Sequence, residues 1–301
     1  MQASTLSELV KFLNDRFDLS GVLEWTIECN PENISEDKLK LFKSLGINRV
    51  SMGVQSFGEK SLKRLERLST ASKIQASISL LQNYFSNWTM DLMLGVPEQS
   101  LSDLDEELRQ LEKIQPPHFS AYLLTIPDDH KWLKSKAMKA TLCDPDSQLE
   151  YFLKVDEWAR AQSYQHYELS NYGKKDRLGV HNSNYWQPQS GYLALGPGAH
   201  GYVQLKSGEK MRFEMQRDFG VWSSGENQIS ERELLTKEQQ EIEALYLGLR
   251  VRRPIDDPAL LKKLEQNSQL HSHFDFFSGQ AQLRPTSWPL MDQIALQLLS
   301  I

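Results

Sequence analysis

The sequence predicts an α/β fold: parallel strands alternating with helices in the manner of a (β/α) barrel, then a small, mainly helical C-terminal domain. Three observations carry this expectation. Short apolar runs rich in β-formers alternate with amphipathic helical repeats from residue 5 to about 172, which is the pattern of parallel βα units. Four of the strand-like runs begin apolar and carry a polar side chain near their C-terminal end: Glu28, Gln55, Asp91 and Glu168. The C-terminal strand ends form the site face of such barrels, so this recurrence reads as a ligand cavity, or as strands turning polar where they leave the core. From about residue 205 the alternation stops, and the expected division is 1–204 for the barrel and 205–301 for the appended domain.

Taken in order, Leu6, Leu9, Val10, Leu13 and Phe17 recur at helical spacing, so 5–17 is expected to be an amphipathic helix. VLEWTIE (22–28) alternates as a strand and closes at Asn30-Pro31. Ser35 can cap a helix that carries Glu36 and Asp37 in its first turn and Gly46 just past its end. NRVSMGVQS (48–56) is a second strand, and KSLKRLERL and ASKIQASISLLQNYF follow as helices. WTMDLMLG (88–95) is a third strand, 100–114 a helix capped by Ser100 or Ser102, and HFSAYLLTI (118–126) a fourth strand. A helix is expected over 147–162 and a fifth strand over YQHYELSNY (164–172). In the C-terminal part KEQQEIEALYLGLRVRRPI is helical up to its arginines and DDPALLKKLEQNSQL is a second helix. AQLRPTSWPLMDQIALQLLSI is a strand or turn followed by a third helix, which with a small ribbon suggests a winged-helix-like unit serving as a structural cap.

Composition narrows the function. The chain has 301 residues, 40% of them hydrophobic and 25% charged, which is ordinary for globular domains. A formal charge of −6 with no long basic run argues against nucleic-acid binding. The longest apolar runs, such as AYLLTI at 121–126, cannot span a bilayer, so membrane contact is at most peripheral. The N-terminal residues lack the basic start and apolar stretch of a signal peptide. Cys29 and Cys143 alone cannot make a disulfide framework or an all-cysteine metal site, and they suit a reducing cytoplasm.

Residues 181–202, HNSNYWQPQSGYLALGPGAHGY, are too glycine-rich for a helix and carry more rings than a linker needs. The plain reading is that His181 and Asn182 hydrogen-bond a loop while Tyr185 and Trp186 plug the barrel end, with His200 structural.

ECNPE (28–32), LGINRVSMGVQSF (45–57), Arg67, DLMLGVPEQS (91–100), HFSAYLLTI (118–126), HNSNYW (181–186) and YLALGPGAHGY (192–202) occur in this order. As an ordered set, running from about residue 20 to the end, they resemble the oxygen-independent coproporphyrinogen III oxidase-like family of radical S-adenosylmethionine proteins. HNSNYW resembles the motif of its heme-chaperone branch, HemW. The resemblance implies a (β/α)6 barrel with a family-type C-terminal domain. It also implies S-adenosylmethionine contacts at Glu28, Gln55, Arg67 and Asp91, and a heme site at His181, Asn182, Tyr185 and Trp186, with His181 as an iron ligand. The residue types suit those roles. A carboxylate accepts from a ribose diol or an ammonium group, arginine forks onto a carboxylate, and glutamine donates and accepts. Histidine ligates heme iron, while aromatic rings pack on or beside a macrocycle. For Arg67 in KRLERL a solvated helical charge remains the alternative, and for Glu28 and Asp91 ion pairing at a barrel rim.

The family also holds a [4Fe–4S] cluster on a CxxxCxxC motif, followed by a GGTP-like turn, and neither motif occurs in these 301 residues. The resemblance therefore implies an incomplete barrel lacking its first βαβα portion, through truncation, a misassigned start or a broken gene, with an unpaired sheet edge as the consequence. Smaller departures are Glu66 where the family has glycine before the arginine, Ser69 where histidine often follows, and Glu98 in place of glycine. Three functions stay open. The chain is a heme-binding chaperone delivering heme to an acceptor protein, of the respiratory chain for example; an incomplete coproporphyrinogen III oxidase; or an inactive remnant.

Overall fold

The computed structural model describes residues 2–226 and 228–299. The chain forms two compact units, the first ending at Val180 and the second beginning at His181. The first unit runs α1 (Ala3–Asn14), β1 (Thr26–Cys29), α2 (Glu36–Ser44), β2 (Arg49–Gln55), α3 (Glu59–Arg64), α4 (Ala71–Tyr84), β3 (Trp88–Leu94), α5 (Leu101–Ile114) and β4 (His118–Leu123). The short helices α6 (Lys131–Lys134) and α7 (Lys136–Lys139) follow, then α8 (Pro145–Ala161), β5 (Gln165–Glu168) and β6 (Asn171–Gly173). The strands make one sheet in the order β1-β2-β3-β4-β6-β5. β1 to β4 are parallel, and β6 runs antiparallel to both β4 and β5. This is the predicted α/β class: a partial, open (β/α) barrel with β1 at one edge.

The two faces of the sheet differ because successive side chains point opposite ways. Val50, Met52 and Val54 of β2, Met90, Leu92 and Leu94 of β3, and Phe119 of β4 are buried. They pack into one core with Leu39 and Phe42 of α2, Ile74, Ile78 and Leu81 of α4, and Leu104, Leu108 and Leu111 of α5. The alternate positions, Ser51, Gly53 and Gln55, then Thr89 and Asp91, then His118 and Ser120, fall on the opposite face. The helix starts follow the sequence. Ser35 accepts from the Lys38 amide, and Ser100 and Asp103 form a reciprocal capping box at α5.

Three elements depart from expectation. The first strand begins at Thr26 rather than 22, because the Asn48 side chain takes over the pairing: its Oδ1 accepts from the Trp25 amide (2.8 Å) and its Nδ2 donates to the Leu23 carbonyl (3.0 Å). The fifth strand is a hairpin, β5–β6. Glu168 Oε1 accepts from the Ser170 amide (2.9 Å) and from the Asn171 side chain, which reverses the chain inside the apolar-looking run. The helix read over KSLKRLERL stops at Arg64. Glu66 sits in the left-handed region (φ 54°), and the Glu66 and Arg67 amides donate back to the Lys63 and Leu62 carbonyls. This is a Schellman cap, and it lifts Arg67 off the helix.

The second unit holds α9 (Val180–Tyr185, whose first residue closes the first unit), β7 (His200–Gln204), β8 (Lys210–Met215), α10 (Phe219–Ser223) and β9 (Ile229–Leu234). It continues with α11 (Lys237–Arg250), α12 (Pro258–Gln266), α13 (Ser268–His271), β10 (Phe274–Phe277), β11 (Gln280–Leu283) and α14 (Met291–Leu299). β7-β8-β9 form an antiparallel sheet and β10–β11 a ribbon. The expected break at 205 falls in the β7–β8 turn. The helix expected over 256–270 is split at Asn267, whose extended backbone and side-chain cap start α13. HNSNYW is helical, against the expectation of a non-helical segment, because its glycines all lie beyond residue 190.

Glu66 occupies the position where glycine suits the backbone, and its carboxylate is an exposed partner of Lys131. Glu66→Gly is expected to raise the Tm of this chain and Glu66→Ala not to, since alanine keeps the left-handed strain. Thermal unfolding followed by circular dichroism checks this, and a lower Tm for Glu66→Gly contradicts it.

Candidate functional site

The polar face of the first sheet is built by register. Asp91 lies beside Ser120 on β4, and Ser120 beside Asn171 on β6. Ser51 Oγ donates to Asp91 Oδ2 (3.1 Å), Ser120 Oγ donates to Asn171 Oδ1 (2.8 Å), and Asn171 donates on to Glu168. Burial pushes the Asp91 carboxyl above the usual carboxylate range. The neighbouring Ser120 and Ser51 hydroxyls oppose that rise, the nearby Glu28 charge adds to it, and Arg49 opposes it. Glu168, the fourth polar strand end, is 0% exposed and serves the hairpin turn, so it does not line a cavity.

Glu28 is the exposed member of the set, on edge strand β1. With Gln55, Gly53, Ser51 and Asp91 it lines a cleft of about 610 Å³ bounded on the other side by Leu6, Leu9 and Leu13 of α1. Gln55 ends β2 with φ 67°, after a register shift between Met52 and Gln55. The following loop is held by Glu107 of α5, which accepts from the Phe57 amide (2.9 Å) and the Ser56 hydroxyl. Arg67, released by the Schellman turn, donates to Asn30 Oδ1 (2.6 Å) and to the Gly53 carbonyl (3.2 Å). A Cβ on Gly53 would stand 3.0 Å from Gln55 Nε2, 3.3 Å from Asn30 Oδ1 and 3.5 Å from an Arg67 nitrogen. Glycine is therefore what lets these three side chains converge. The structure thus brings Gln55 and Arg67 together around Gly53, and puts Glu28 and Asp91 in the same cleft as Gln55.

One layer nearer the strand starts, a second network closes the sheet face. Arg49 pairs with Glu24 at 3.8 Å and is 3% exposed. Gly179 N–H donates to the Tyr167 hydroxyl (3.0 Å), which contacts His118 Nε2 (2.8 Å), and His118 Nδ1 contacts Thr89 Oγ1 (2.6 Å). Burial and the Arg49 charge hold His118 well below the ordinary histidine range. A neutral ring that accepts from Tyr167 and donates to Thr89 uses both imidazole nitrogens, whereas Arg49 Nε and Nη2 are buried without a hydrogen-bond partner among the described residues.

Asn30, Gly53, Ser120, Asn171 and Glu107 were not singled out from the sequence. Ser120 is findable by counting in twos from His118, and Glu107 interrupts the apolar stripe of α5 at Leu104, Leu108 and Leu111. Gly53 carries no signal of its own.

The residues present do not fit a three-cysteine iron–sulfur cluster. Cys29 ends β1 and Cys143 packs near Gly95. Burial pushes the Cys29 thiol up to about 11, away from the thiolate a metal needs. Among the described residues no group of three histidine, cysteine or acidic side chains is placed to hold a metal ion.

In the second unit, α9 presents an exposed His181. Its ring meets Tyr185 edge-on (4.8 Å, 85°), and Tyr185 meets Tyr192 in the same way (4.6 Å, 77°). Asn182 is half-buried beside His181. Trp186 has Arg250 over its ring at 4.1 Å. Arg253 donates to the Trp186 carbonyl (3.3 Å) and to Gln187 Oε1 (3.2 Å). Its own indole N–H is buried with no hydrogen-bond partner among the described residues. Gly201 lies under Phe213, whose ring would be 2.2 Å from a Cβ there. His200 is exposed and stands 4.0 Å from Glu214.

Residues 3–111 match the model of the Radical SAM superfamily. Over 212 residues, 70% of this chain and 54% of the relative, the sequence is 34% identical to the heme chaperone HemW of Haemophilus influenzae. Over 213 residues it is 33% identical to HemW of Escherichia coli, again 70% of this chain and 55% of the relative. The chain thus spans about half the length of these two curated relatives. Among solved structures, coproporphyrinogen III oxidase (HemN) of Escherichia coli superposes with a TM-score of 0.81 at 18% identity, covering 99% of this chain and 74% of that one. At that identity the likeness speaks for the fold alone.

Two outcomes follow from the site. Asp91 keeps its charge against burial, so Asp91→Asn is expected to raise the Tm at neutral pH by removing that penalty. Because the folded-state pKa is raised, the gain is present above it and fades as pH falls towards the unfolded carboxyl range, where both forms are neutral. A Tm difference that grows on acidification contradicts the assignment. Anaerobic incubation of this chain with iron and sulfide is expected to leave no iron–sulfur absorption after desalting; a stable chromophore contradicts the misfit of the cysteines.

Proposed function

We propose that this chain, a HemW-related chain of the radical S-adenosylmethionine superfamily, binds heme and hands it to a heme-accepting protein. The observation that carries the reading is the exposed His181, held edge-on by Tyr185 on a short helix that leads into the anchored Trp186. A histidine that is both oriented and open to solvent is what an axial iron ligand requires. The name borne by the two curated relatives supports the same reading. Heme, when bound, supplies an iron centre with an open coordination position. His181 would hold the iron, and Asn182, Tyr185 and Trp186 would support His181 and line the site. The acceptor we propose is a heme protein of the respiratory-chain class, reached in the cytoplasm; no helix among the described residues is long and apolar enough to cross a membrane.

S-adenosylmethionine is the second ligand we propose, in the cleft of the first unit. Arg67 would donate its remaining N–H groups to the ligand's carboxylate. Glu28 and Asp91 would accept from its ammonium and ribose hydroxyls, and Gln55 would do both. Gly53 leaves the space these contacts need. A cation bound there would stabilise the ionised Asp91 that burial disfavours. An oxidase reading, coproporphyrinogen III oxidation, rests on the fold likeness to HemN and on this cleft. No redox step is assigned here, because the cysteines present do not fit the cluster such a step uses.

Titration of hemin into the chain is expected to give a saturable Soret shift with one heme per chain. His181→Ala is expected to weaken binding by about tenfold or more, on the scale of losing a metal-site contact. No saturable shift in the unaltered chain, or an unchanged titration in His181→Ala, contradicts the proposal.

A further inference from the structure

Glu107 breaks the pattern of α5. Leu104, Leu108 and Leu111 on the same stripe belong to the core, and Glu107 is itself 5% exposed. Burial pushes its carboxyl above the usual carboxylate range, so an acid is kept at this position at a cost to stability. Its hydrogen-bond partners all lie on one loop. Oε2 accepts from the Phe57 amide (2.9 Å), and Oε1 accepts from the same amide (3.2 Å) and from the Ser56 hydroxyl. Ser56 is fully buried, and its Oγ accepts in turn from the Gly58 amide (2.9 Å).

That loop starts from Gln55, whose backbone is strained. Gln55 takes φ 67°, a region that a glutamine occupies only where its surroundings impose it. Two constraints impose it here. Met52 pairs with Met90 but Gln55 pairs with Leu92, so β2 carries one residue more than β3 over this stretch, the count of a β-bulge. Immediately afterwards Ser56 and Phe57 are tied to Glu107, which fixes where the chain goes next. Held between the bulge and the carboxylate, Gln55 stands over Gly53, with Nε2 3.0 Å from where a Cβ there would lie. It lines the cleft with Glu28, Ser51 and Asp91, whereas Glu107 lies outside the cleft lining. The carboxylate therefore reaches the cleft only through the backbone of the loop.

We propose that Glu107 is a positioning residue for the S-adenosylmethionine site, holding Ser56 and Phe57 so that Gln55 keeps the left-handed conformation that places its amide in the cleft. This rests on the S-adenosylmethionine reading above and adds to it a residue of α5 outside the cleft. The effect of Glu107 on the ligand then passes through the Gln55 side chain, and disappears when that side chain is cut back. A general loosening of the sheet behaves differently. It would disturb the Glu28 and Asp91 contacts too, so its effect would persist without the Gln55 amide.

The test is calorimetric titration of S-adenosylmethionine into the whole chain, at a temperature well below the Tm of every variant. Glu107→Leu continues the apolar stripe but offers no acceptor, and is expected to weaken binding by about fivefold or more, the scale of one lost hydrogen bond. Ser56→Ala removes one bond to Glu107 and keeps the carboxylate, so a smaller loss in the same direction is expected; it carries the test where Glu107→Leu does not fold. Placed on Gln55→Ala, either change is expected to weaken binding no further. Arg67→Ala serves as the control for the site itself. If the unaltered chain binds no S-adenosylmethionine saturably, that reading falls and this inference with it. If it binds and Arg67→Ala weakens it, while the Glu107 and Ser56 variants titrate like the unaltered chain, the inference is overturned and the reading stands. Losses of equal size with and without the Gln55 side chain also overturn it.

Discussion

Asp91 sits at the middle of a sheet whose other face is packed against α2, α4 and α5, and its half-buried carboxylate sets what the rest of the first unit must provide. A carboxylate removed from water must find donors or a cation. Ser51 donates from β2 and Ser120 stands beside it on β4, so β2, β3 and β4 must hold register for the charge to be tolerated. The Asn171–Glu168 hairpin continues the line of hydrogen bonds and closes the antiparallel side of the sheet. On the β1 side Glu28 adds a like charge. Burial and the neighbouring Glu28 both oppose the Asp91 charge, and a cation in the proposed site would relieve both.

Much of this was legible in the sequence, for identifiable reasons. Short apolar, β-prone runs located the four parallel strands, and Ser35 and the Ser100/Ser102 pair located two helix starts, because such runs and capping are local. Asp91, Gln55 and Glu28 stood out as polar ends of apolar runs. What escaped was decided by contacts distant in sequence. The first strand is shortened by Asn48, more than twenty residues away, and the fifth is folded into a hairpin by a side chain that looked like another strand-end acid. Arg67 looked like one charge on a helix face, and a left-handed Glu66 turns it into the site. A glutamate at such a position hides the turn that a glycine would have announced. Glu107 was invisible as a site residue since it acts through Ser56 and Phe57 on the loop after Gln55. The helix at 180–185 was missed because the glycines after residue 190 coloured the reading of the whole stretch.

The second unit separates two questions that a shared fold would merge. Likeness to HemN covers nearly the whole chain but is a likeness of shape, and shape hosts many chemistries. In the proposed reading, the residues that would distinguish a carrier from an oxidase are those of HNSNYW. There the rings are used in a graded way: Trp186 is held by Arg250 and Arg253, Tyr185 and Tyr192 brace one another, and His181 is exposed. That gradient from fixed to exposed is what a ligand surface on a small unit requires, since a contact residue is effective only if something behind it is rigid.

The central claim is that heme is met by the segment beginning at His181 and not by the polar face of the first sheet. Hydrogen exchange measured by mass spectrometry, with and without hemin, tests this most directly. Slowed exchange confined to peptides from 181–202, with peptides covering β2 and β3 unchanged, is the predicted result. Protection centred on the β2 and β3 peptides, or none anywhere at saturating hemin, would contradict it.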